Sequence, residues 1–461
     1  MKKNKRVLLL YNFFCFTTLL FIAPSCKKYL DAKSDSKLVV PTKLEELQGL
    51  LDNSIKVNQS DNNAAEASSD NYYVTDADYQ GLAADAYRNL YTWSKGQQFI
   101  SGTNDWSNIY DNVFRANSVL DNLPNIKIEG TELAAAENVK GQALFLRARC
   151  FFQALYLWSP AYDITTANQE PGIPLRLSSD VNEKISRSSV GSGYERVLSD
   201  LKQASILLQA NQVSTMRPNK AASFGLIARV YLSMRLYDSC YKYSDMALQL
   251  SNQLYDFNLI TNLTAAYPLP VFNQNPEIVY NASIQSIPLV LNTKAKIDSS
   301  LYQSYNDNDL RKSVFFKNNG NGSYGFRGSY ERSSALFDGV ATDEIYLMRA
   351  ESYARLGNVN AAMDDLNTVL NKRWKAGKFV DLTAPNAQGA LAIILAERRK
   401  ELVMRGLRWM DIKRSNKEGM NIIIKRFTLG QIYSLEPNSI RYALTIPDDV
   451  ISISGMKQNP R

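Results

Sequence analysis

Glu397 and Glu401 stand four residues apart in a helical pattern, and two carboxylates are what a glycosidase uses as acid and base. Such a pair normally works across a cleft. Here Glu401 instead precedes Arg405 by four residues, the favourable order for an ion pair along a helix, so these charges read as structural pairing. Arg398 and Arg405 share a stripe with Leu391, Leu395, Leu402 and Trp409, so both are expected to be partly buried and paired with acids such as Glu351 or Asp411. The chain has no histidine, which excludes triads with a His base, cysteine–histidine pairs and His-based zinc sites. No catalytic residue, metal ligand set or cofactor is assigned.

Binding chemistry is better supplied. A sugar presents apolar C–H faces and hydroxyls, so its site needs flat aromatic rings beside amides and carboxylates. Two loop regions hold that mixture: an early one with Asn71, Tyr72, Tyr73, Tyr79, Tyr91 and Trp93, and a later one with Tyr302, Tyr305, Tyr324, Phe326 and Tyr330. The candidate ligand-binding residues are Asn71, Tyr72, Tyr73, Tyr79, Trp93, Tyr324 and Phe326, and core packing is the competing role for each.

The elements that must position these groups are mainly helical. A helix is expected after Pro41 with Thr42 as its cap, a loop over 57–78, and helices over 106–123 and around the stripe Leu144, Ala148, Phe151, Leu155 and Trp158. Another amphipathic helix follows over 194–208. Two later segments fit the large and small offsets of a tetratricopeptide repeat. One has Phe224, Ile227, Ala228, Tyr231, Cys240 and Ala247; the other has Tyr346, Ala350, Tyr353, Gly357, Ala362 and Leu366, with Arg349 departing from the pattern. The fold class is therefore mainly α, with tetratricopeptide-like helix pairs forming an α-α superhelix. Between the two repeats, residues 251–341 are rich in Asn, Ser, Tyr and Gly, and they read as an irregular inserted subdomain between helical regions 41–250 and 342–461. Cys150 and Cys240 fall in helical patterns, as two small buried hydrophobes or as one disulfide.

Residues 1–25 have the order of an export signal: Lys2, Lys3, Lys5 and Arg6, an apolar run, then Ala23-Pro24-Ser25-Cys26. A small residue before a cysteine is similar to the lipobox of bacterial lipoproteins, although Ala23 stands where Leu is usual, and it makes Cys26 the expected lipidation site. Residues 26–40 then read as a tether. Without the leader the net charge of +8 falls by four, and no basic run remains, so nucleic acid is not an expected partner.

A set of segments in order resembles the RagB/SusD family. They are Cys26-Lys27-Lys28-Tyr29-Leu30-Asp31; Gly141-Gln142-Ala143-Leu144-Phe145-Leu146-Arg147-Ala148 with Gly172-Ile173-Pro174-Leu175; and Lys220-Ala221-Ala222 leading to Leu226-Ile227-Ala228-Arg229-Val230-Tyr231-Leu232. Further on come Ile345-Tyr346-Leu347-Met348-Arg349-Ala350-Glu351 with Asp365-Leu366-Asn367, Glu397-Arg398-Arg399-Lys400-Glu401-Leu402 with Gly406-Leu407-Arg408-Trp409-Met410-Asp411, and Gln458-Asn459-Pro460. The resemblance implies a lipid-anchored protein on the outside of an outer membrane, with four tetratricopeptide-like helix pairs. It further implies that the protein takes up oligosaccharides, or in some branches peptides, and passes them to a SusC-like TonB-dependent barrel. A protein in that role binds and does not catalyse. The rivals are a tetratricopeptide scaffold for other proteins and a carboxylate-based surface glycosidase.

Overall fold

Leu133–Trp158 is the longest helix among the described residues, and every residue from Gly141 to its end is buried. A helix apolar around its whole circumference must be enclosed by others. The polar side chains it carries inward are paired: Arg147 donates to Asp200 at 2.8 Å and to Asn117 Oδ1 at 2.9 Å. At Gly141 a Cβ would stand 3.1 Å from Leu208 N, so the absent side chain lets the next helix end close by.

The computed structural model describes residues 41–284 and 287–461. The expected signal, the tether and Cys26 lie outside the described residues. Nine of the described helices have nine residues or more: α1 Asp105–Asn122, α2 Leu133–Trp158, α3 Val190–Leu207, α4 Lys220–Met234, α5 Tyr237–Leu250, α6 Thr342–Arg355, α7 Val359–Asn371, α8 Ala387–Glu401 and α9 Arg408–Asn416. From α2 to α7 each packs on its predecessor, and α8 packs on α6 and α7, which is the stacking of a helical-pair repeat. Local signals set their ends. Asn104, Ser189, Asn219 and Asn386 cap α1, α3, α4 and α8 through their side-chain oxygens. Ser159-Pro160 stops α2, and Gly357 turns α6 into α7 at φ +85°.

Two readings differ from expectation. The first helix is Leu44–Leu51 with Lys43 at its cap, where Glu46 accepts from the Lys43 backbone N–H. The expected loop over 57–78 contains short helices at Ala64–Ala67 and Asp76–Gln80 and is buried over most of its length. Its polar residues look loop-like in sequence, yet its buried groups are satisfied: Asn58 donates to the carbonyls of Met216 and Asn281, and the backbone N–H groups of Asn63 and Ala64 donate to the Asp105 carboxylate. Residues 251–341 are tied to the rest of the chain. Lys296–Ile297 pairs antiparallel with Tyr72–Tyr73, Ile284 bridges to Asp61, and the whole of Lys43–Arg461 forms one unit.

Cys150 in α2 and Cys240 in α5 are free, buried thiols rather than a disulfide. Burial pushes them up to about 12 and about 11, which keeps both protonated and unreactive.

Candidate ligand-binding clefts

The hairpin Phe316–Asn318 with Tyr324–Phe326 turns through Asn319-Gly320-Asn321-Gly322, with Gly320 and Gly322 at φ +81° and +80°. Beside it opens a cleft of about 460 Å³, lined by Tyr267, Asn292, Lys317, Asn319, Phe326 and Arg327 among others. Its walls are fixed from behind. Arg327 donates to the carbonyls of Ala265, Leu263 and Ser313 at 2.9, 2.7 and 2.6 Å, which ties the loop bearing Tyr267 to the hairpin. Asn292 approaches the hairpin where there is no side chain: a Cβ on Gly325 would meet its carbonyl at 3.1 Å. Asn292 Nδ2 reaches Tyr267 Oη at 3.4 Å. Next to the cleft on the same hairpin, Tyr324 stacks on Tyr302 with ring centroids 3.5 Å apart, both rings half-buried. The cleft thus has a tyrosine, two amides, an ammonium and a held guanidinium in its lining.

A second cleft of about 250 Å³ lies at the start of α1, with Tyr87, Phe99 and Asn104 on its walls and Asp105 at its base. Burial pushes the Asp105 carboxyl up to about 7 from an ordinary 3.8, against the backbone N–H groups of Ala64 and Asn63. Between those two values the folded chain holds a proton that the unfolded chain has released. This group's contribution to stability is therefore complete below the lower value, shrinks as pH rises and is lost above the upper one. Asp105→Asn keeps the acceptor without the charge, so at about pH 8 it should be more stable than the wild type by on the order of 2 kcal/mol, a gap that closes in acid. Urea unfolding at both pH values checks this, and a less stable variant at the higher pH would refute it.

Among the described residues no group of three or more His, Cys, Asp or Glu is placed to hold a metal ion, and no helix is long and apolar enough to cross a membrane.

With this geometry in view, the likeness to known proteins is specific. Residues 28–232 match a family described as "Starch-binding associating with outer membrane", and residues 342–459 match the one described as "SusD family". The chain belongs to the SusD family. A SusD-like protein of Formosa agariphila, P38, is 23% identical over 416 residues, covering 75% of this chain and 78% of that one. The crystal structure of a putative sugar binding protein from Bacteroides vulgatus superposes with a TM-score of 0.73 at 21% identity, covering 92% of this chain and 99% of the other. A laminarin binding SusD-like protein has a TM-score of 0.64 at 15% identity, covering 91% and 99%. These neighbours share the tetratricopeptide-like helical fold.

Within this SusD-like fold, most of the aromatics singled out in sequence are taken into the core. Asn71, Tyr72, Tyr79 and Trp93 are buried. Asn71 donates to Glu66, Tyr72 to the Ala67 carbonyl and Trp93 to the Ser68 carbonyl. The reason is one cation: Arg426 lies 4.8, 4.3 and 5.5 Å from the ring centroids of Tyr72, Tyr91 and Trp93, which box a buried guanidinium. Tyr73 and Tyr324 remain half-exposed, and Phe326 is buried but lines the larger cleft. Tyr267, Asn292, Lys317, Tyr87 and Phe99 were not singled out. The turn signal Asn319-Gly320-Asn321-Gly322 between Phe316 and Phe326 marks the hairpin in sequence; nothing local marks Tyr267.

The charged residues of α8 are structural. Arg398 donates to Asp411 at 2.9 Å and Arg405 to Asp343 at 2.6 Å, both guanidinium groups buried. The expected Glu401–Arg405 pair does not form, because α8 ends at Glu401 and the chain turns at Met404, φ +59°. Glu401 is taken instead by Arg373 at 2.7 Å and Arg311 at 3.0 Å. Glu397 meets Arg311 and Lys400, each at 2.6 Å. Burial opposes its ionised form, but Arg311 and Lys400 outweigh that and hold its carboxyl below the usual range. Carboxylates clamped in this way do not face one another across either cleft.

Proposed function

We propose that this SusD-like protein binds a neutral oligosaccharide in the cleft between Tyr267 and the 316–326 hairpin. It then passes the ligand to a SusC-like TonB-dependent barrel while held on the outer face of the outer membrane by lipid on Cys26. The observation that carries the reading is the cleft itself: a ring face for sugar C–H groups, with Asn292, Asn319 and Lys317 beside it for hydroxyls. The laminarin-binding relative and the family description supply the ligand class. The chemistry required is binding alone, and Glu397 and Glu401 are committed to cations.

Calorimetric titration with oligosaccharides tests the site. Tyr267→Ala is expected to weaken binding about tenfold or more, ~1.4 kcal/mol. Unchanged affinity would move the site elsewhere, and no affinity for any glycan would refute the function. Mass spectrometry of the N-terminal peptide should find acylated Cys26, and gentle solubilisation should bring a large barrel down in matched amount.

A further inference from the structure

A third cleft, of about 280 Å³, shares no residue with the other two. It lies where the chain after α2, the end of α9 and the C-terminal turns meet. Pro160, Pro171, Ile440, Tyr442 and Pro460 form its apolar walls. The polar lining includes three buried side chains, Lys413 at 5% exposure, Asn459 at 3% and Asn416 at 2%, and the half-buried Lys417, which pairs with Asp163 at 3.3 Å.

Lys413 donates to the carbonyls of Tyr156 and Ser159, each at 2.7 Å, and no carboxylate stands within ion-pair distance among the described residues. Burial, against the pull of Glu170, pushes Lys413 down to about 7, and in its charged form the ammonium has three donors, so one is left over. Asn459 gives both amide hydrogens to carbonyls, Trp158 O at 2.8 Å and Leu444 O at 2.7 Å. That fixes which way its carboxamide points, and its Oδ1 has no partner. Glu170, on the rim, likewise has Oε2 unpartnered. Buried polar atoms are normally satisfied, so unmatched acceptors and a spare donor around one apolar cleft point to a ligand or its water.

Charge narrows the class. An anionic ligand would meet Glu170 and a cationic one Lys413 and Lys417, the latter already paired with Asp163, whereas a hydroxyl can accept from Lys413 and donate to Asn459 or Glu170. The walls suit the C–H face of a ring, and the volume falls just below the ~300–1,000 Å³ of sites for drug-sized ligands. We infer that this cleft is a second binding site, for a single neutral pyranose residue, separate from the Tyr267 cleft. Its polar lining and walls carry this inference whether or not oligosaccharide binds at Tyr267.

The test is saturation-transfer NMR on the whole mature chain with methyl glucosides, galactosides and mannosides as probes. It compares wild type, Ile440→Trp and Tyr267→Ala. Ile440 is 56% exposed at the rim, so tryptophan there should narrow the cleft without disturbing the core, as an unchanged melting temperature would verify. At least one hexoside should bind with affinity reduced about tenfold by Ile440→Trp and unaltered by Tyr267→Ala. Binding insensitive to Ile440→Trp, binding lost with Tyr267→Ala, or no hexoside binding at all would each overturn the assignment. Preference for a uronate or an aminosugar would overturn the neutral class.

Discussion

Arg311→Met is expected to destabilise the protein by ~3–5 kcal/mol, the cost of removing one partner from a buried ion cluster. Arg311 is 1% exposed. It donates to Asp309 at 2.7 Å, Glu397 at 2.6 Å and Glu401 at 3.0 Å, and lies 5.6 Å from the Tyr305 ring centroid. Without it Glu401 keeps Arg373 and Glu397 keeps Lys400, but Asp309 loses its only ion-pair partner among the described residues and stays buried. The damage is therefore an uncompensated charge more than lost packing. Two consequences follow. Adding Asp309→Asn should recover part of the loss, because it removes the stranded charge. The gap between Arg311→Met and wild type should also narrow in acid: Glu397 is held below its usual range in the folded state, so its contribution is present above the unfolded value and is lost as pH falls. Denaturant midpoints read both. A change under about 1 kcal/mol would mean the cluster contributes no more than exposed pairs do.

Gly339→Ala is the second large effect, at about 3 kcal/mol or more. A Cβ at Gly339 would stand 2.0 Å from the Tyr280 carbonyl oxygen and 2.6 Å from the Phe337 ring. The carbonyl cannot swing aside, since Tyr280 pairs with Val340 in the short ladder that leads into α6. Gly339 cannot retreat either, because its own carbonyl accepts from Arg229 at 2.6 Å, a guanidinium also bound to Glu344. The strain should appear as a lower melting temperature with earlier loss of the 251–341 segment in hydrogen exchange. A variant melting with the wild type would show that the ladder yields more easily than its packing implies.

The helical repeat was legible because its causes are local. Small residues recur where α4 meets α5 and α6 meets α7, and Gly357 marks the turn between the latter pair by its own chemistry. Family membership was legible from the ordered segments, Glu397 to Asp411 above all, and these turn out to be the buried charge framework. The cleft was not. Tyr72, Tyr91 and Trp93 look like a sugar platform in sequence, and their burial depends on Arg426, more than 300 residues away. Tyr267 becomes a wall only because Arg327 fastens its loop to the hairpin, a contact between residues about sixty positions apart. Likewise Glu401 and Arg405 have helix-pair spacing, and the turn at Met404 separates them in favour of Arg373 and Asp343.

Retention on immobilised polysaccharides, with reducing ends assayed in the same samples, tests the central claim most directly. The protein should be held back by at least one polysaccharide, should elute with its free oligosaccharide and should release no new reducing ends, while Tyr267→Ala runs free. Passage through every polysaccharide unretarded, or release of sugar from the one that retains it, would contradict the account.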